Sequence, residues 1–263
     1  MQDITVALLI STYNWPGALK LVLDSVLAQT KMPDEIVIAE DGTDPKTKEV
    51  IESFKNKLTL KHVRHEDEGF RKSLILNKAV KEIKSDYIIQ IDGDIIVHPK
   101  FIEDHIESAK VGCFVQGSRA MITEEKSSEI LKTGQLKFNF LSSGISNRFN
   151  AVRLPSMASI FKLHQSNPFH LKGCNFAFWK ADFIKINGYF NGFEGWGFED
   201  YEFGARLLHS GIKRTTIKLK AVGYHIFHSH PYNLNASLTS NKNIYRQTID
   251  KKKTVTGNGY AQV

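Results

Sequence analysis

Carboxylates and imidazoles are the groups with which this chain could do chemistry, and their spacing narrows what that chemistry is. In IDGDIIVHP, Asp92 and Asp94 lie two apart around a glycine where an apolar run ends. At a strand end both can converge on one side, and hard cations such as Mn2+ or Mg2+ take oxygen ligands of this kind, bridging carboxylates to phosphates. Near the C-terminus YHIFHSHP holds His225, His228 and His230. Strand alternation puts His228 and His230 on one face and His225 on the other, so all three can act together only if the chain bends. His228 is the one expected to complete a site with the aspartates. An isolated Asp-x-Asp is also an ordinary acidic turn, so its placement in the fold must decide.

A third group is GFEGWGFEDYEF, residues 192–203, in which glycines and aromatics alternate before Glu199, Asp200 and Glu202 arrive. Unpaired carboxylates are costly to bury, and glycines free the backbone, so core packing explains this composition poorly. Its acids would also suit the first turn of a helix, where the dipole favours negative charge; for Glu202 that structural reading is preferred. In DEGFRKSLILNKA, Gly69 and Arg71 enter a helix, and a guanidinium fork at a helix N-terminus suits a diphosphate. KGCNFAFW, residues 172–179, reads equally as core or as a floor for sugar stacking.

The elements that must position these residues follow an alternating pattern. ITVALLIST (4–12) is a continuous aliphatic run, as in a strand buried on both faces. A helix from Pro16 places Leu19, Val22, Leu23, Val26 and Leu27 on one face. Strand 35–41, a helix from Pro45, strand 58–65, helix 70–85 and strand 86–92 continue the cycle. Strand and helix in turn imply right-handed βαβ crossovers and a doubly wound α/β sheet with its ligand at the carboxyl ends of the strands. Ser11, Tyr13, Asn14, Glu40, Asp41, Asp92 and Asp94 all fall at those ends. Beyond residue 112 the reading is a strand near 113–122, an irregular stretch over 124–170, a short helix near 181–187, a helix over 199–210 closed by Gly211, and a strand over 213–228. TGNGYAQV at the end has turn residues and little apolar content, which predicts a frayed tail.

The chain has 263 residues, 41% of them apolar, enough for one large α/β domain or two small ones; no repeat or linker divides it. Its net charge of +7 favours anionic partners. Cys113 and Cys174 sit in apolar surroundings and read as reduced core thiols of a cytosolic protein. MQDITVALLIST lacks a basic leader and its apolar run is too short to span a bilayer. The expectation is a soluble cytoplasmic protein, peripheral at most on the inner face of the membrane.

Taken together, STYN, AEDGT, EGFRKSLILNKA, IDGD and KGCNFAFWKADFIKINGYFNGFEGWGFEDYEFGARL resemble glycosyltransferase family 2 with the GT-A fold, over roughly residues 4–230. The last segment is similar to the Gly-Trp-Gly-x-Glu-Asp region of β-1,4-galactosyltransferases and bacterial chondroitin-type polymerases. The resemblance implies a Rossmann-like, mostly parallel sheet flanked by helices in a single domain. Residues 1–112 would be its nucleotide-binding half, 113–240 its metal- and acceptor-binding half, and 241–263 a basic segment and tail. It also implies an inverting, metal-dependent transfer of one sugar from a UDP-sugar (galactose, GalNAc or a relative) to a saccharide or lipid-linked saccharide acceptor.

The same resemblance assigns roles. Ser11, Tyr13, Glu40 and Asp41 would hold uracil and ribose, with the choice between Glu40 and Asp41 left open because the family's paired aspartates are replaced here. Arg71 would approach the diphosphate. Asp92 and Asp94 would form the Asp-x-Asp motif, with Asp94 the direct ligand and His228 the distal ligand of Mn2+ or Mg2+. Asp200 would be the catalytic base, Glu199 would orient a sugar, and Trp196 and Phe198 would stack on sugar rings while Gly192, Gly195 and Gly197 let the loop close. The Gln-x-x-Arg-Trp motif of processive synthases is absent, since no tryptophan follows Trp196.

Two other readings predict different behaviour. A metal-dependent phosphoesterase would use Asp92, Asp94 and the histidines. A nucleic-acid-binding protein would use the positive charge, but the basic residues are scattered, and no nucleic-acid partner is expected. Their clearest cluster, DKKKT, follows a weakly amphipathic segment with Ile244, Tyr245 and Ile249, which reads first as a solvated helix and second as a contact for an anionic membrane.

Overall fold

The computed structural model describes residues 4–160, 163–165, 171–229 and 234–263. Its first half follows the alternating pattern: β1 (Val6–Thr12), α1 (Pro16–Leu27), β2 (Glu35–Glu40), α2 (Pro45–Phe54), β3 (Leu60–Arg64), α3 (Lys72–Glu82) and β4 (Tyr87–Asp92). Proline at the first turn starts α1 and α2, and the Asp44 carboxylate caps α2 by accepting from the Lys46 and Thr47 amides. After β4 come β5 (Ile95–Val97), α4 (Phe101–Ser108), β6 (Cys113–Gln116), β7 (Ser118–Ile122), α5 (Glu124–Thr133), β8 (Ile145–Ser146) and β9 (Leu163–Gln165). The chain then forms β10 (Asn175–Trp179), α6 (Lys180–Lys185), α7 (Glu199–His209), β11 (Lys213–Thr216), β12 (Val222–His225) and α8 (Leu234–Asp250).

Among the described residues the large sheet runs β3-β2-β1-β4-β10-β6-β11-β9, and a smaller one runs β5-β12-β7-β8. The pairs β3–β2, β2–β1 and β1–β4 are parallel, whereas β10 is antiparallel to both β4 and β6. Alternation along each buried strand of the large sheet gives it a core on either face. Leu8, Ile10, Ile36, Ile38 and Ile89 face α1, α2 and α4, while Leu9, Val37, Ala39 and Ile88 face α3, α6 and α7. The expected mixed α/β sheet flanked by helices is the fold observed.

The second half departs from the sequence reading in four places. The strand expected over 113–122 breaks at Gly117 and feeds both sheets, because the Asn175 side chain occupies the space a Cβ at 117 would need. The strand expected over 213–228 splits in the same way into β11 and β12. The stretch expected to be irregular holds α5, capped by Thr123 and ended by Gly134 in the left-handed region. The tail is not frayed. Tyr260 packs edge-on against Phe183, and Asn187 binds Thr256 and Gln262. Turn residues at this end make hydrogen bonds to the α6 turn instead of fraying.

Both cysteines are free and buried, as expected. Among the described residues no helix is long and apolar enough to cross a membrane.

Candidate active site

A cleft of about 340 Å3 opens at the carboxyl ends of β1, β2 and β4. Its walls include Ser11, Tyr13, Asp41, Lys72, Asp92, Asp94, Trp196 and His228, which brings most of the sequence-predicted residues together.

Register explains the aspartates. Ser11 pairs with Asp92 across β1 and β4, and the Ser11 hydroxyl donates to Asp92 Oδ1 at 2.8 Å. Gly93 separates the two acids because its amide bonds the Ser11 carbonyl at 2.6 Å and a side chain there would meet Thr12 at 2.9 Å. Asp94 thereby meets different partners from Asp92. Its carbonyl accepts from the Ile226 amide, and β5 pairs with β12 so that Ile95 faces His225. Asp94 Oδ2 then lies 3.4 Å from His225 Nε2 and 3.3 Å from His228 Nε2.

These three residues offer one oxygen and two nitrogens, all within 4.8 Å of one another. Asp94 Oδ1 is buried without a protein hydrogen-bond partner, as expected of a carboxylate whose remaining lone pairs face a cation. Burial opposes ionisation of Asp94, but the two imidazoles outweigh it and hold the carboxyl well below the usual range. The His228 pKa is raised, first by its hydrogen bond to Asp94. The donor set therefore fits a divalent ion. His225, expected to point away, joins because β12 ends at that residue and the chain bends before His228. His230 lies outside the described residues. Asp92 stands apart from this cluster.

Lys72 engages Asp92 instead, its ammonium 2.5 Å from Oδ1. Burial alone would lower the Lys72 pKa, but Asp92, Asp200 and Glu199 around it raise the pKa well above the ordinary value. Sequence reasoning chose the neighbouring Arg71, whose guanidinium turns away to Glu68 and to the Glu66 carbonyl. The difference is helical phase: Arg71 is the N-cap of α3, and Lys72 is its first residue, facing the cleft. Only the exact first residue of the helix could have separated them.

Glu40 and Asp41 also divide. Glu40 is buried between the Asp44 amide and His62 Nε2, 2.7 Å away, and does not line the cleft. Asp41 does line it, with His65 Nε2 at 2.6 Å and the Arg71 amide at 2.8 Å. Tyr13 reaches Asp67 at 3.3 Å; burial first, then that carboxylate, raises its pKa.

The 192–203 loop closes the far side. Gly195 donates to the Phe70 carbonyl, and Trp196 stands half-exposed on the cleft wall. Gly197, at φ +106, donates to Glu199 Oε2 at 2.9 Å. Phe198, expected to meet a sugar, stacks on Tyr245 of α8 instead. Asp200 Oδ2 accepts from the Gly173 amide at 2.8 Å, while Oδ1 has no protein partner. A Cβ on Gly173 would sit 2.2 Å from that oxygen, so glycine in KGCNFAFW is what admits the carboxylate. Burial raises the Asp200 pKa, and burial with the neighbouring Asp200 raises that of Glu199 to about 7. Glu199 and Asp200 do not line the cleft themselves; their charges act on Lys72, which does, and they stand apart from the Asp94, His225 and His228 donor set.

Comparison with known proteins follows the same division. The sequence model for Glycosyl transferase family 2 matches residues 7–164, and that for the N-terminal domain of galactosyltransferase matches residues 157–230. The chain is 24% identical over 246 residues to a hyaluronan synthase of Pasteurella multocida, covering 88% of this chain and 25% of that protein. It is 26% identical to a chondroitin synthase of Escherichia coli, covering 83% and 34% respectively. A validoxylamine A glucosyltransferase of Streptomyces hygroscopicus subsp. limoneus is 25% identical, covering 88% and 53%. The chain thus spans between a quarter and about half the length of these relatives. Among solved structures, the mannosyltransferase PcManGT of Pyrobaculum calidifontis, in complex with GDP-Man and Mn2+, superposes with a TM-score of 0.65 at 14% identity, covering 94% of this chain and 64% of that one. S. aureus TarS 1-349 gives 0.57 at 14% identity, covering 84% and 60%. These likenesses place the fold among GT-A glycosyltransferases.

Proposed function

The chain belongs to glycosyl transferase family 2, and from that premise we propose that it moves one sugar from a UDP-sugar to a hydroxyl of a saccharide or lipid-linked saccharide, with inversion. The observation that carries this reading is Asp200: a carboxylate beside the cleft-lining Lys72 and Asp92, with one oxygen fixed by the Gly173 amide and the other unpartnered. Asp94, His225 and His228 would hold a divalent ion, which when bound supplies positive charge to stabilise the departing diphosphate. Two imidazoles beside one carboxylate favour Mn2+ over Mg2+, which prefers oxygen ligands.

The protein's own groups do the rest. Asp41, fixed by His65 and the Arg71 amide, meets the nucleobase, and Ser11 and Tyr13 lie along the nucleoside. Asp92 holds Lys72 at the cleft wall, where its ammonium can turn to a phosphate oxygen. Trp196 presents an apolar face on which a sugar ring can stack. Asp200 Oδ1 takes the proton of the acceptor hydroxyl as that oxygen forms its bond to the anomeric carbon and the bond to UDP breaks. A positioned base of this kind contributes roughly 10²–10⁴-fold. Glu199 holds the loop backbone through Gly197 and orients the sugar.

The match of residues 157–230 to a galactosyltransferase domain favours UDP-galactose or UDP-GalNAc as donor. Screening UDP-sugars, with GDP-mannose beside them, for Mn2+-dependent hydrolysis tests the reading. Release of sugar from one UDP-sugar, with opposite anomeric configuration in the first product, is the expected result. Phosphate release from simple esters without sugar transfer would instead make the protein a phosphoesterase.

A further inference from the structure

The segment between α5 and β10 has a composition that sugar transfer does not require. From Glu129 to Asp182 the sequence contains no acidic residue between those two, although the whole chain has 28. Within this stretch the side chains of residues 140–160 supply six of the fourteen exposed large apolar groups among the described residues: Phe140, Leu141, Phe149, Leu154, Met157 and Ile160. Leu141 is 72% exposed. Scattered surface leucines need no explanation, but such a concentration does.

Its geometry is ordered. Arg148 donates to the Phe140 carbonyl at 2.6 Å, which ties the 139–142 turn to the 148–151 turn that carries Phe149. Lys132, Lys137 and Arg148 are exposed in the same stretch of chain. Beneath them Phe138 is buried against Tyr224 of the small sheet, so the base of the segment is fixed. The same cluster takes in Trp15, whose ring lies 5.8 Å from His228 and lines the cleft. The apolar cluster beneath the tip therefore reaches the cleft wall through Trp15.

We propose that the 137–160 segment is a docking surface for an anionic lipid bilayer, inserting Phe140, Leu141 and Phe149 at the headgroup boundary while Lys132, Lys137 and Arg148 meet the headgroups. Charge complementarity selects this occupant: a stretch of exposed apolar side chains that carries exposed cations and no acid matches an anionic interface. The C-terminal helix, the other basic amphipathic element, has already committed its inner face, because Asn241, Tyr245 and Thr248 are buried, with Tyr245 stacked on Phe198 and Thr248 bound to Glu202 of α7. A bilayer at this tip would bring a lipid-linked acceptor to the cleft mouth. The docking claim itself does not depend on which sugar is moved.

Flotation of the full chain with vesicles of phosphatidylcholine alone, or of phosphatidylcholine and phosphatidylglycerol in equal parts, tests it. The chain should float with the anionic vesicles only, less so at high salt. Leu141→Ser with Phe149→Ser should abolish flotation. Lys132→Gln with Lys137→Gln should weaken it by about fivefold for each charge removed. Replacing Lys251, Lys252 and Lys253 by Gln should leave it unchanged. Unaltered thermal unfolding of each variant separates loss of docking from loss of folding. Failure of the wild type to float, or flotation kept by both tip variants, overturns the proposal. So does light scattering that finds a dimer dissolved by Leu141→Ser with Phe149→Ser, which would make the tip a contact between two copies.

Discussion

A carboxylate takes its chemical role here from its surroundings. Asp92 and Asp94 are two residues apart, yet one binds Lys72 and the other faces two imidazoles, because Gly93 turns the chain between them. Glu199 and Asp200 begin helix α7 side by side, and the Glu199 pKa rises to about 7 through burial and its neighbour's charge. Since this folded-state value lies above the ordinary 4.5, Glu199 binds a proton more readily in the folded chain than in the unfolded one. Its contribution to stability is full below about pH 4.5 and is lost as pH rises through about 7. Glu199→Gln keeps an acceptor for the Gly197 amide and removes the charge. It should raise the thermal midpoint over wild type at pH 8 and leave it nearly level at pH 5. Calorimetry at the two pH values checks this; equal shifts at both would contradict it.

The elements hold these residues by different means. Helix α7 carries Glu199 and Asp200 at its N-terminus, and its position is fixed by a fully buried pair: Arg206 binds Glu202 with both Nε and Nη2 at 2.7 Å and donates to the Ile186 carbonyl. Thr248 of α8 adds a further hydrogen bond to Glu202. Glu202 thus has the structural role its place in the sequence suggested. Arg206→Leu would strand the Glu202 charge, so a destabilisation of about 3–5 kcal/mol in urea unfolding is expected; a change within the range of surface substitutions would contradict this account. Element boundaries also explain what the sequence withheld. Lys72 and Arg71 exchange roles with a single step in where α3 begins, and His225 joins Asp94 and His228 because β12 stops at it. Periodicity locates elements to within a few residues, and a one-residue error moves a side chain to another face.

Across the whole molecule, the half built from local βαβ units was legible from periodicity, including its strand ends and the residues Ser11, Tyr13, Asp41, Asp92 and Asp94 that line the cleft. The other half was less so, since its strands pair with distant partners and split between two sheets at Gly117 and after Thr216. No local pattern announces such a split, which depends on Asn175 bonding the Ser118 and Ala221 carbonyls from β10. The C-terminal turn belongs to the fold as well. Removing residues 254–263 should lower the thermal midpoint, by about 2–4 °C for each kcal/mol of destabilisation, whereas a frayed tail would leave it unchanged. The proposed mechanism joins both halves: the first would grip a nucleotide, and Asp200 in the second would accept the acceptor's proton. Asp200→Asn tests it most directly, through titration of UDP with Mn2+ alongside a transfer assay with the donor found by screening. UDP affinity within about twofold of wild type and transfer reduced by at least about 10²-fold are the predicted results. Transfer at the wild-type rate would contradict the account.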